Sequence, residues 1–470
     1  MSATATTEKK YLKWYQKLAY GSGDLASNCS YGLVSSFVLL YLTGTLGLDS
    51  AIIGSLMLAS KVLDGISDVI FGTLIDRTHS KLGKARPWML FGQVGVSLCL
   101  FLLFAIPAGS TTMQYIYFFI VYTALNAVFY TANGIAYSSL VALITKNNNE
   151  RVQLGSFRFM FAVVTNIFMG FAVTGMVEKF GSGAAGWRTT ALIFAIVGLV
   201  VNTISCLAVK ELPEEELSGN TSEAAEEGKA VAEEKKHGFA ETAKILVHNK
   251  YYLMILAIYI VYYIMSNLTT GAGVFCATYY WGDGSLLGQF SMMKMFSVII
   301  ALAIAPVLIK KTGSMQKVNF WGYAISSVLG IPMIYFAMQK NLSMFLLFMF
   351  IKGIFAGTLS GSLNALIAEA SGYTTRTTGI HMDGMMYSCS SLGVKVGGGI
   401  GTAAVGWLLK LGGFVGTATV QSESAIRMIF NLYITFPFVI GIIITVLLAF
   451  LDVEKANKKW DAEHQKEAQA

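Results

Sequence analysis

The chain contains twelve long apolar stretches, and this pattern restricts its fold more than any other feature. A helix that crosses a bilayer needs about 20 mostly apolar residues. Of the 470 residues, 54% are hydrophobic and 13% are charged, whereas a soluble protein carries roughly 25% charged residues. We therefore predict an all-α, multi-pass integral membrane protein whose transmembrane helices cover residues 18–43, 50–76, 87–107, 113–142, 153–177, 187–208, 250–280, 286–310, 318–338, 343–369, 384–411 and 426–451.

A polar segment divides these spans into two groups of six. Residues 209–249 are rich in Glu and Lys and contain no apolar run long enough to cross a membrane. The predicted domains are an N-terminal segment, an N-terminal six-helix bundle, a linker, a C-terminal six-helix bundle and a tail, at residues 1–17, 18–208, 209–249, 250–451 and 452–470.

The two groups of spans also repeat each other in sequence. Ser139 to Ile144 in the fourth span and Ser362 to Ile367 in the tenth are identical at five of six positions. Thr73 to Ser80, at the end of the second span, is similar to Val307 to Ser314 at the end of the eighth. Both matches join a span to the one six places later, which predicts two parallel six-helix repeats. That is the major-facilitator architecture, in which substrate binds near the middle of the membrane.

Basic residues are concentrated in alternate loops. One set of loops carries Arg77, Lys81, Lys84, Arg86, Lys146, Arg151, Lys310, Lys311, Lys317 and Arg376. In the opposite set, residues 43–50, 107–114 and 281–287 contain no Lys or Arg, although Lys179, Arg188, Lys340, Lys410 and Arg427 lie on that side. Because cytoplasmic loops are enriched in Lys and Arg, we predict a cytoplasmic (inner, cell) membrane protein with both termini and the linker in the cytoplasm.

The second span carries ionisable residues within an apolar helix. Lys61, Asp64 and Asp68 follow helical i, i+3, i+7 spacing and share one face, with Ser67 beside them. Charges inside a membrane are costly and mark functional sites by default. Two neighbouring carboxylates repel each other, and a bound proton or cation would reduce that repulsion. Na⁺ prefers such oxygen ligands. The alternative is a structural ion pair between Lys61 and a carboxylate.

Other spans supply polar groups that would complete such a site. Thr131 in the fourth span offers a hydroxyl, unless that hydroxyl bonds back to its own helix. Tyr20, Asp24 and Asn28 form a polar stripe on the first span, where Asp24 is also placed to act as a helix cap.

Two basic residues lie within later spans. Arg158 is about two turns into the fifth span, and Lys395 is about three turns into the eleventh, among glycines. Buried cations need anions, and Asp24, Asp64 and Asp68 are the available ones. The alternatives are snorkelling of Arg158 towards the interface and a purely structural pair for Lys395.

Several classes of function lack support in the sequence. It contains no nucleotide-binding P-loop and no HExxH motif, so we predict neither an enzyme nor an ATP-driven pump, with no catalytic residues and no cofactor. Basic residues occur in short clusters between apolar runs, so we predict no nucleic-acid partner. The expected partners are a small-molecule solute, a coupling cation and membrane lipid.

Four stretches resemble those of the glycoside–pentoside–hexuronide:cation symporters, the family of melibiose permease and the glucuronide carriers. They are residues 20–28 (YGSGDLASN), 61–68 (KVLDGISD), 72–88 with GTLIDR and GKARPW, and 379–395 with DGMMYS. The likeness extends over both halves of the chain. It implies a major-facilitator fold and symport of a sugar or glycoside with Na⁺ or H⁺, by alternating access.

The resemblance also implies roles for individual residues. Asp64 and Asp68 fall on the family's paired cation-binding carboxylates, Ser67 on a further ligand position and Thr131 on the fourth-span hydroxyl. Asn28 falls on a sugar-contacting position, and Arg158 and Lys395 on basic residues of spans five and eleven. With Asp24 and Tyr137 these form the candidate substrate site, and we expect no metal beyond Na⁺ at Asp64 and Asp68.

The fourth span departs from the family pattern. Where members have Asn or Asp before Ile-Pro-Tyr/Phe, this chain has Gly134 within Asn133-Gly-Ile-Ala-Tyr137, and Ser138 follows. Transport of a non-sugar or amphiphilic solute is therefore the alternative function, and a non-transporting membrane sensor is a more remote one.

The loop after the second span carries the last group of candidates. Asp76, Arg77, Lys84 and Arg86 cluster where that helix leaves the membrane. We predict that they form a charge network on the cytoplasmic side that holds the outward-open state closed to the cytoplasm.

Overall fold

The computed structural model describes residues 9–213, 245–380, 383–418 and 420–467, and within these ranges every regular element is a helix. The prediction of an all-α chain is confirmed. The long helices are α1 (Trp14–Thr45), α2 (Ser50–Asp76), α3 (Arg86–Leu103), α4 (Thr111–Ile144), α5 (Asn148–Lys179), α6 (Gly183–Ala208), α7 (Lys250–Trp281), α8 (Leu286–Thr312), α9 (Met315–Met338), α10 (Leu342–Thr378), α11 (Met385–Leu411) and α12 (Glu423–Phe430, Asn431–Thr435 and Phe436–Phe450).

Eleven helices among the described residues are long and apolar enough to cross a membrane. The helix outside that set is α2, which carries Lys61, Asp64 and Asp68. With 27 residues it is nevertheless long enough to span the hydrocarbon. One face of it, with Val62, Ile66 and Val69, is exposed as a lipid-facing surface would be. The count is therefore roughly that of the twelve predicted spans.

Polar side chains mark where many of these helices begin. Asp49, Asn147, Asn249 and Asn341 each precede a helix and accept hydrogen bonds from backbone N–H groups of its first turn. These amides have no partner within the helix, so short polar side chains are favoured there.

Among the described residues, five short π-helical segments interrupt the long helices, and the sequence did not reveal them. They are Tyr41–Thr45, Ala124–Tyr130, Cys276–Trp281, Gly393–Gly397 and Asn431–Thr435. Such segments are frequent at functional sites. Ala124–Tyr130 ends immediately before Thr131, and Gly393–Gly397 contains Lys395.

Helical structure continues past the predicted ends of the tenth and the twelfth spans. The last turns of α10 continue to Thr378, although the apolar run ends near residue 369. Within the predicted tail, Val453–Glu467 forms a further helix, α13. Of the predicted linker, residues 214–244 lie outside the described residues.

The chain forms two compact units. The first comprises Met1–Gly219, Ala277–Gly288 and Gly406–Ala425, and the second comprises Asn220–Cys276, Gln289–Val405 and Ile426–Ala470. Tyr20, Met89 and Leu140 belong to a buried core cluster of the first unit. Ile258 and Leu366 belong to one in the second.

Each unit contains the same capping arrangement. In the first, the Glu211 carboxylate, just after α6, accepts the backbone N–H groups of Lys84, Ala85 and Arg86 at the start of α3, at 2.7, 2.9 and 3.1 Å. In the second, the Glu454 carboxylate, just after α12, accepts those of Met315 and Gln316 at the start of α9, at 2.8 and 3.0 Å. The third and ninth helices are thus capped by the segments after the sixth and twelfth, as a duplicated six-helix repeat requires.

Candidate functional site

Asp64 is a buried carboxylate in the middle of α2, with 6% of its surface exposed. Its Oδ1 accepts a hydrogen bond from the Thr131 hydroxyl at 2.7 Å, and the Lys61 ammonium lies 3.5 Å from its Oδ2. A strong ammonium–carboxylate hydrogen bond measures about 2.7–2.9 Å. Asp64 is therefore held more closely by the hydroxyl than by the lysine.

Thr131 is positioned by the π-helical segment that precedes it. Its hydroxyl oxygen lies 2.7 Å from Asp64 and 2.9 Å from the carbonyl of Asn126, five residues earlier. A hydroxyl has one proton, so it donates to one of these two acceptors at a time. The structure thus brings Thr131 to Asp64 and also shows the bond within its own helix that the sequence left open.

Ser67 and Asp68 lie one turn further along α2. The Ser67 hydroxyl donates to the Asp64 backbone carbonyl at 2.9 Å, which leaves its oxygen lone pairs available. Asp68 is only partly buried, unlike Asp64. No group of three or more His, Cys, Asp or Glu side chains is arranged to bind a metal among the described residues. A cation at this position would therefore need hydroxyl or carbonyl oxygens besides carboxylate.

Arg158 and Asp24 form an ion pair between α5 and α1. The distance from Arg158 Nε to Asp24 Oδ2 is 2.6 Å, and 25% and 18% of the two side chains is exposed. The Arg158 guanidinium also lies over the Tyr137 ring, 4.2 Å from its centroid. Arg158 is therefore fixed by an anion and an aromatic face at once, rather than extended towards the interface.

Tyr137 is fixed in turn by Tyr20. The Tyr137 hydroxyl donates to the Tyr20 carbonyl at 2.8 Å, the Tyr20 hydroxyl donates to the Tyr137 carbonyl, and the ring centroids lie 4.7 Å apart. With its hydroxyl engaged and 2% of its surface exposed, Tyr137 supports Arg158 through its ring. Its predicted contact with substrate stays a prediction.

Asn28 has a partner that the sequence analysis missed. Its amide nitrogen donates to the Asp24 carbonyl at 2.7 Å, and its amide oxygen accepts from Asn166 of α5 at 2.9 Å. Asn166 lies eight residues after Arg158, and therefore on the same face of α5. That i, i+8 spacing was the available signal.

An aromatic pair continues the polar row on α1. Tyr31, three residues after Asn28, stacks on Tyr130 with ring centroids 5.7 Å apart. Tyr130 immediately precedes Thr131. Tyr130 is thus covalently bonded to Thr131 and stacked on Tyr31. In this way it connects the Asp64–Thr131 pair to the polar row of Asp24 and Asn28.

Lys395 belongs to the second unit. It is partly buried in the π-helical segment Gly393–Gly397. A Cβ at Gly393 would lie 2.4 Å from the Tyr259 side chain, so α11 packs closely on α7. The role of Lys395 beside the α2 carboxylates stays a prediction.

The four residues of the predicted loop network do not all come together. The Arg86 side chain donates to the Cys206 and Leu82 carbonyls at 3.2 and 3.3 Å. Asp76 and Arg77 are exposed, and neither side chain makes an ion pair within the described ranges. Lys84 contacts Glu211 through its backbone N–H. The carboxylate that organises this loop is Glu211, which the sequence analysis did not single out.

Comparison with known proteins gives consistent results. The family described as MFS/sugar transport protein matches residues 19–455. An isoprimeverose transporter of Lactiplantibacillus pentosus is 26% identical over 466 residues, which cover 98% of this chain and 93% of that protein. A glucuronide carrier protein homolog of Escherichia coli (strain K12) is 23% identical over 408 residues, 86% of this chain and 85% of that protein.

A similarity to solved structures supports the fold. The crystal structure of a D-xylose-proton symporter superposes with a TM-score of 0.62 at 12% identity, covering 94% of this chain and 98% of that one. The predicted major-facilitator architecture is thereby confirmed.

Proposed function

This chain belongs to the MFS/sugar transport protein family, and on that premise we propose that it moves a sugar or glycoside together with Na⁺ or H⁺ by alternating access. It is a multi-pass membrane transporter and not an enzyme. We place it in the cell membrane with both termini in the cytoplasm, because the Lys- and Arg-rich loops lie on the side of the termini.

The observation that carries the proposal is the contact between Asp64 and Thr131. A carboxylate with a hydroxyl 2.7 Å away, on a helix with an exposed apolar face, has the ligands that a hard cation prefers. Na⁺ would bind the carboxylate and the hydroxyl oxygen, whereas H⁺ would protonate Asp64. Either would weaken the attraction of Asp64 for Lys61. Asp68 and Ser67, one turn away, are the further oxygen ligands we assign to this cation.

The polar row on α1 and α5 is the proposed sugar site. Asp24, Asn28, Arg158 and Asn166 are all partly buried, so each reaches the surface of its unit. Together they offer carboxylate and amide acceptors and guanidinium and amide donors, which suit a ligand with several hydroxyls. Tyr31 supplies an aromatic face at the end of the row. Lys395 of the second unit remains part of this proposal from sequence alone.

We propose that Tyr130 couples the two sites. It stacks on Tyr31 beside the sugar row, and its neighbour Thr131 contacts Asp64. A cation that replaces the hydrogen bond between Thr131 and Asp64 would move the end of a π-helical segment, and with it the Tyr130 ring. Sugar affinity would then depend on the cation, as symport requires.

Uptake into membrane vesicles tests this function. Radiolabelled pentosides, hexosides and uronides would each be offered with an inward Na⁺ gradient, an inward H⁺ gradient or neither. We expect accumulation of at least one sugar above its external concentration under one gradient only. A chain that accumulates no sugar under either gradient would contradict the proposal.

A second candidate substrate class rests on Gly134. A Cβ at this position would meet nothing within 4 Å, so there is open space on α4 three residues after Thr131. This space favours a bulkier, amphiphilic solute. Uptake of amphiphilic glycosides and of neutral amphiphiles, compared in the same vesicles, separates the two classes.

A further inference from the structure

The second unit contains a cavity of about 190 Å³ between α7, α8, α9, α10 and α12. None of the residues proposed above for the cation or the sugar lines it. A water molecule needs roughly 10–15 Å³ of such space, so the cavity is much larger than a packing defect. Its polar lining includes Lys294, Lys352, Tyr262, Tyr323 and Tyr433.

Two lysines in this lining have no counter-charge within the part of the chain that the structure describes. Lys294 and Lys352 are both partly buried, on α8 and α10. No Asp or Glu is among the described residues that line the cavity. Neither ammonium makes a hydrogen bond or an ion pair with another residue in the ranges that the structure describes. Keeping two neighbouring lysines charged in a membrane-embedded helix bundle is costly unless an anion binds between them.

Close packing of α8 against α10 holds the two lysines on neighbouring turns. A Cβ at Gly353 would lie 2.2 Å from the Ser297 hydroxyl, and one at Gly357 would lie 2.6 Å from Ala301. Lys352 directly precedes Gly353, and Lys294 lies three residues before Ser297. The two lysine side chains therefore start from adjoining turns of two tightly packed helices.

Tyr323, a further residue of the cavity lining, has a buried hydroxyl. Tyr323 is 2% exposed, and its hydroxyl has no hydrogen-bond partner among the described residues. Leaving such a group unpaired costs free energy, so native structures rarely do so. Tyr433, which lies in the π-helical segment Asn431–Thr435, lines the cavity as well. A ligand with several acceptor oxygens would satisfy both lysines and the Tyr323 hydroxyl.

We propose that this cavity is an anion-binding site that takes a small oxyanion, such as a phosphate, sulfate or carboxylate group. Lys294 and Lys352 supply the charge, and Tyr323 donates a hydrogen bond. Such groups accept strong charge-assisted hydrogen bonds from ammonium donors. The site goes beyond the proposed symport, because it uses none of the residues assigned to the cation or the sugar.

The oxyanion could be a free anion or the headgroup of an anionic lipid, and the rest of the lining bears on this choice. Met333, Phe345, Met349 and Phe438 make part of the wall apolar. With a free anion in the cavity, water would contact this apolar wall. With the headgroup of an anionic lipid, the acyl chains of the lipid would contact it. The shared chemistry is the oxyanion, and the two sources can be separated by experiment.

The test uses the purified full-length protein. In detergent, sodium phosphate, sulfate and acetate would be titrated against sodium chloride at equal ionic strength, with binding followed by calorimetry. In nanodiscs, retention of phosphatidylglycerol and phosphatidylcholine would be compared by native mass spectrometry. We expect one oxyanion source to bind, with affinity reduced about tenfold or more by Lys294→Met or by Lys352→Met, because each removes a charge-assisted hydrogen bond.

Matched variants keep the outcome interpretable. Lys311→Met removes an exposed lysine near the end of α8 and should leave binding unchanged. Lys352→Arg retains the charge and should restore most of the binding lost in Lys352→Met, which excludes misfolding as the cause. Tyr323→Phe should weaken binding less than either lysine variant. The proposal is overturned if neither source binds the parent protein, or if binding persists unchanged in both lysine-to-methionine variants.

Discussion

The Arg158 guanidinium lies 2.6 Å from the Asp24 carboxylate, so the proposed sugar site contains an ion pair. A substrate that uses either group must therefore bind to the pair, or replace one partner by its own hydroxyls. This relationship changes what substitutions at the two positions should do.

Replacing either partner should weaken sugar binding by a similar factor. Hydrogen bonds to charged groups are worth about 1.5–3 kcal/mol, so Asp24→Asn and Arg158→Gln should each lower affinity roughly tenfold to a hundredfold. Because they share one interaction, the double variant should lose less than the product of the two. Calorimetry on purified protein measures this. Lys179→Gln, at the exposed end of the same helix, is the control. Strictly multiplicative losses would mean that the pair does not act as a unit.

Asn166 should matter as much as Asn28. The two amides share a hydrogen bond at 2.9 Å, so each orients the other. Neutral hydrogen bonds contribute about 0.5–1.5 kcal/mol, so Asn28→Ala and Asn166→Ala should each reduce sugar affinity about three- to tenfold. Ser156→Ala, exposed on the same helix, should have no effect. If the Asn166→Ala protein binds every tested sugar as tightly as the parent does, the part of α5 after Arg158 does not belong to the sugar site.

Tyr130 should determine whether the cation changes sugar affinity. Its ring joins Tyr31 to the segment that carries Thr131. In the parent protein, we expect sugar affinity to be higher when the coupling cation is present. Tyr130→Ala should remove most of that increase, although the sugar and the cation should each still bind alone. Tyr130→Phe keeps the stacked ring and should retain the coupling. The test is to measure sugar affinity without the cation and at a saturating cation concentration for all three proteins. Equal coupling in Tyr130→Ala would show that another contact transmits the effect.

The loop between α2 and α3 should depend on Glu211 more than on Arg77. Glu211 accepts three backbone N–H groups at the start of α3, whereas Arg77 is exposed. Glu211→Ala should lower thermal stability, by about 1–3 kcal/mol for buried amides left unsatisfied, and should slow transport. If the loop is a latch, cysteine labelling of cytoplasm-facing positions should also rise.

Two variants separate that effect from a general role of charge. Lys81→Ala, in the same loop and exposed, should change neither stability nor labelling, and Arg77→Ala should change labelling less than Glu211→Ala. A large shift in Arg77→Ala with none in Glu211→Ala would restore the charge network first predicted from sequence.

The fold could be predicted because its main signals are local. Runs of apolar residues set the helix positions, and α2 begins and ends at the predicted residues, Ser50 and Asp76. The end of α10 could not be found in this way, because its last turns from Glu369 to Thr378 are polar and extend past the apolar run. The π-helical segments also leave no periodic signal, since they shift the register by a single residue.

The site was only partly accessible to sequence analysis. Spacing along one helix identified the stripes of Asp24 with Asn28 and of Asp64 with Asp68. Pairings between helices, such as Asn28 with Asn166 or Lys84 with Glu211, join positions 138 and 127 residues apart. Spacing along α5 can place Asn166 on the same face as Arg158, but it does not identify a partner on another helix. Glu211 in particular lies in a run of acidic residues, where nothing distinguishes it from its neighbours.

The central claim is that Asp64 binds the coupling cation, and comparing two carboxylates of the same helix tests it. Asp64 is buried beside Thr131, whereas Asp76 is exposed at the cytoplasmic end that we propose for α2. Sugar accumulation driven by a cation gradient, and sugar exchange without a gradient, would be measured in vesicles containing Asp64→Asn or Asp76→Asn. We predict that Asp64→Asn abolishes accumulation and keeps exchange, while Asp76→Asn keeps both. Full gradient-driven accumulation by the Asp64→Asn protein would contradict the account.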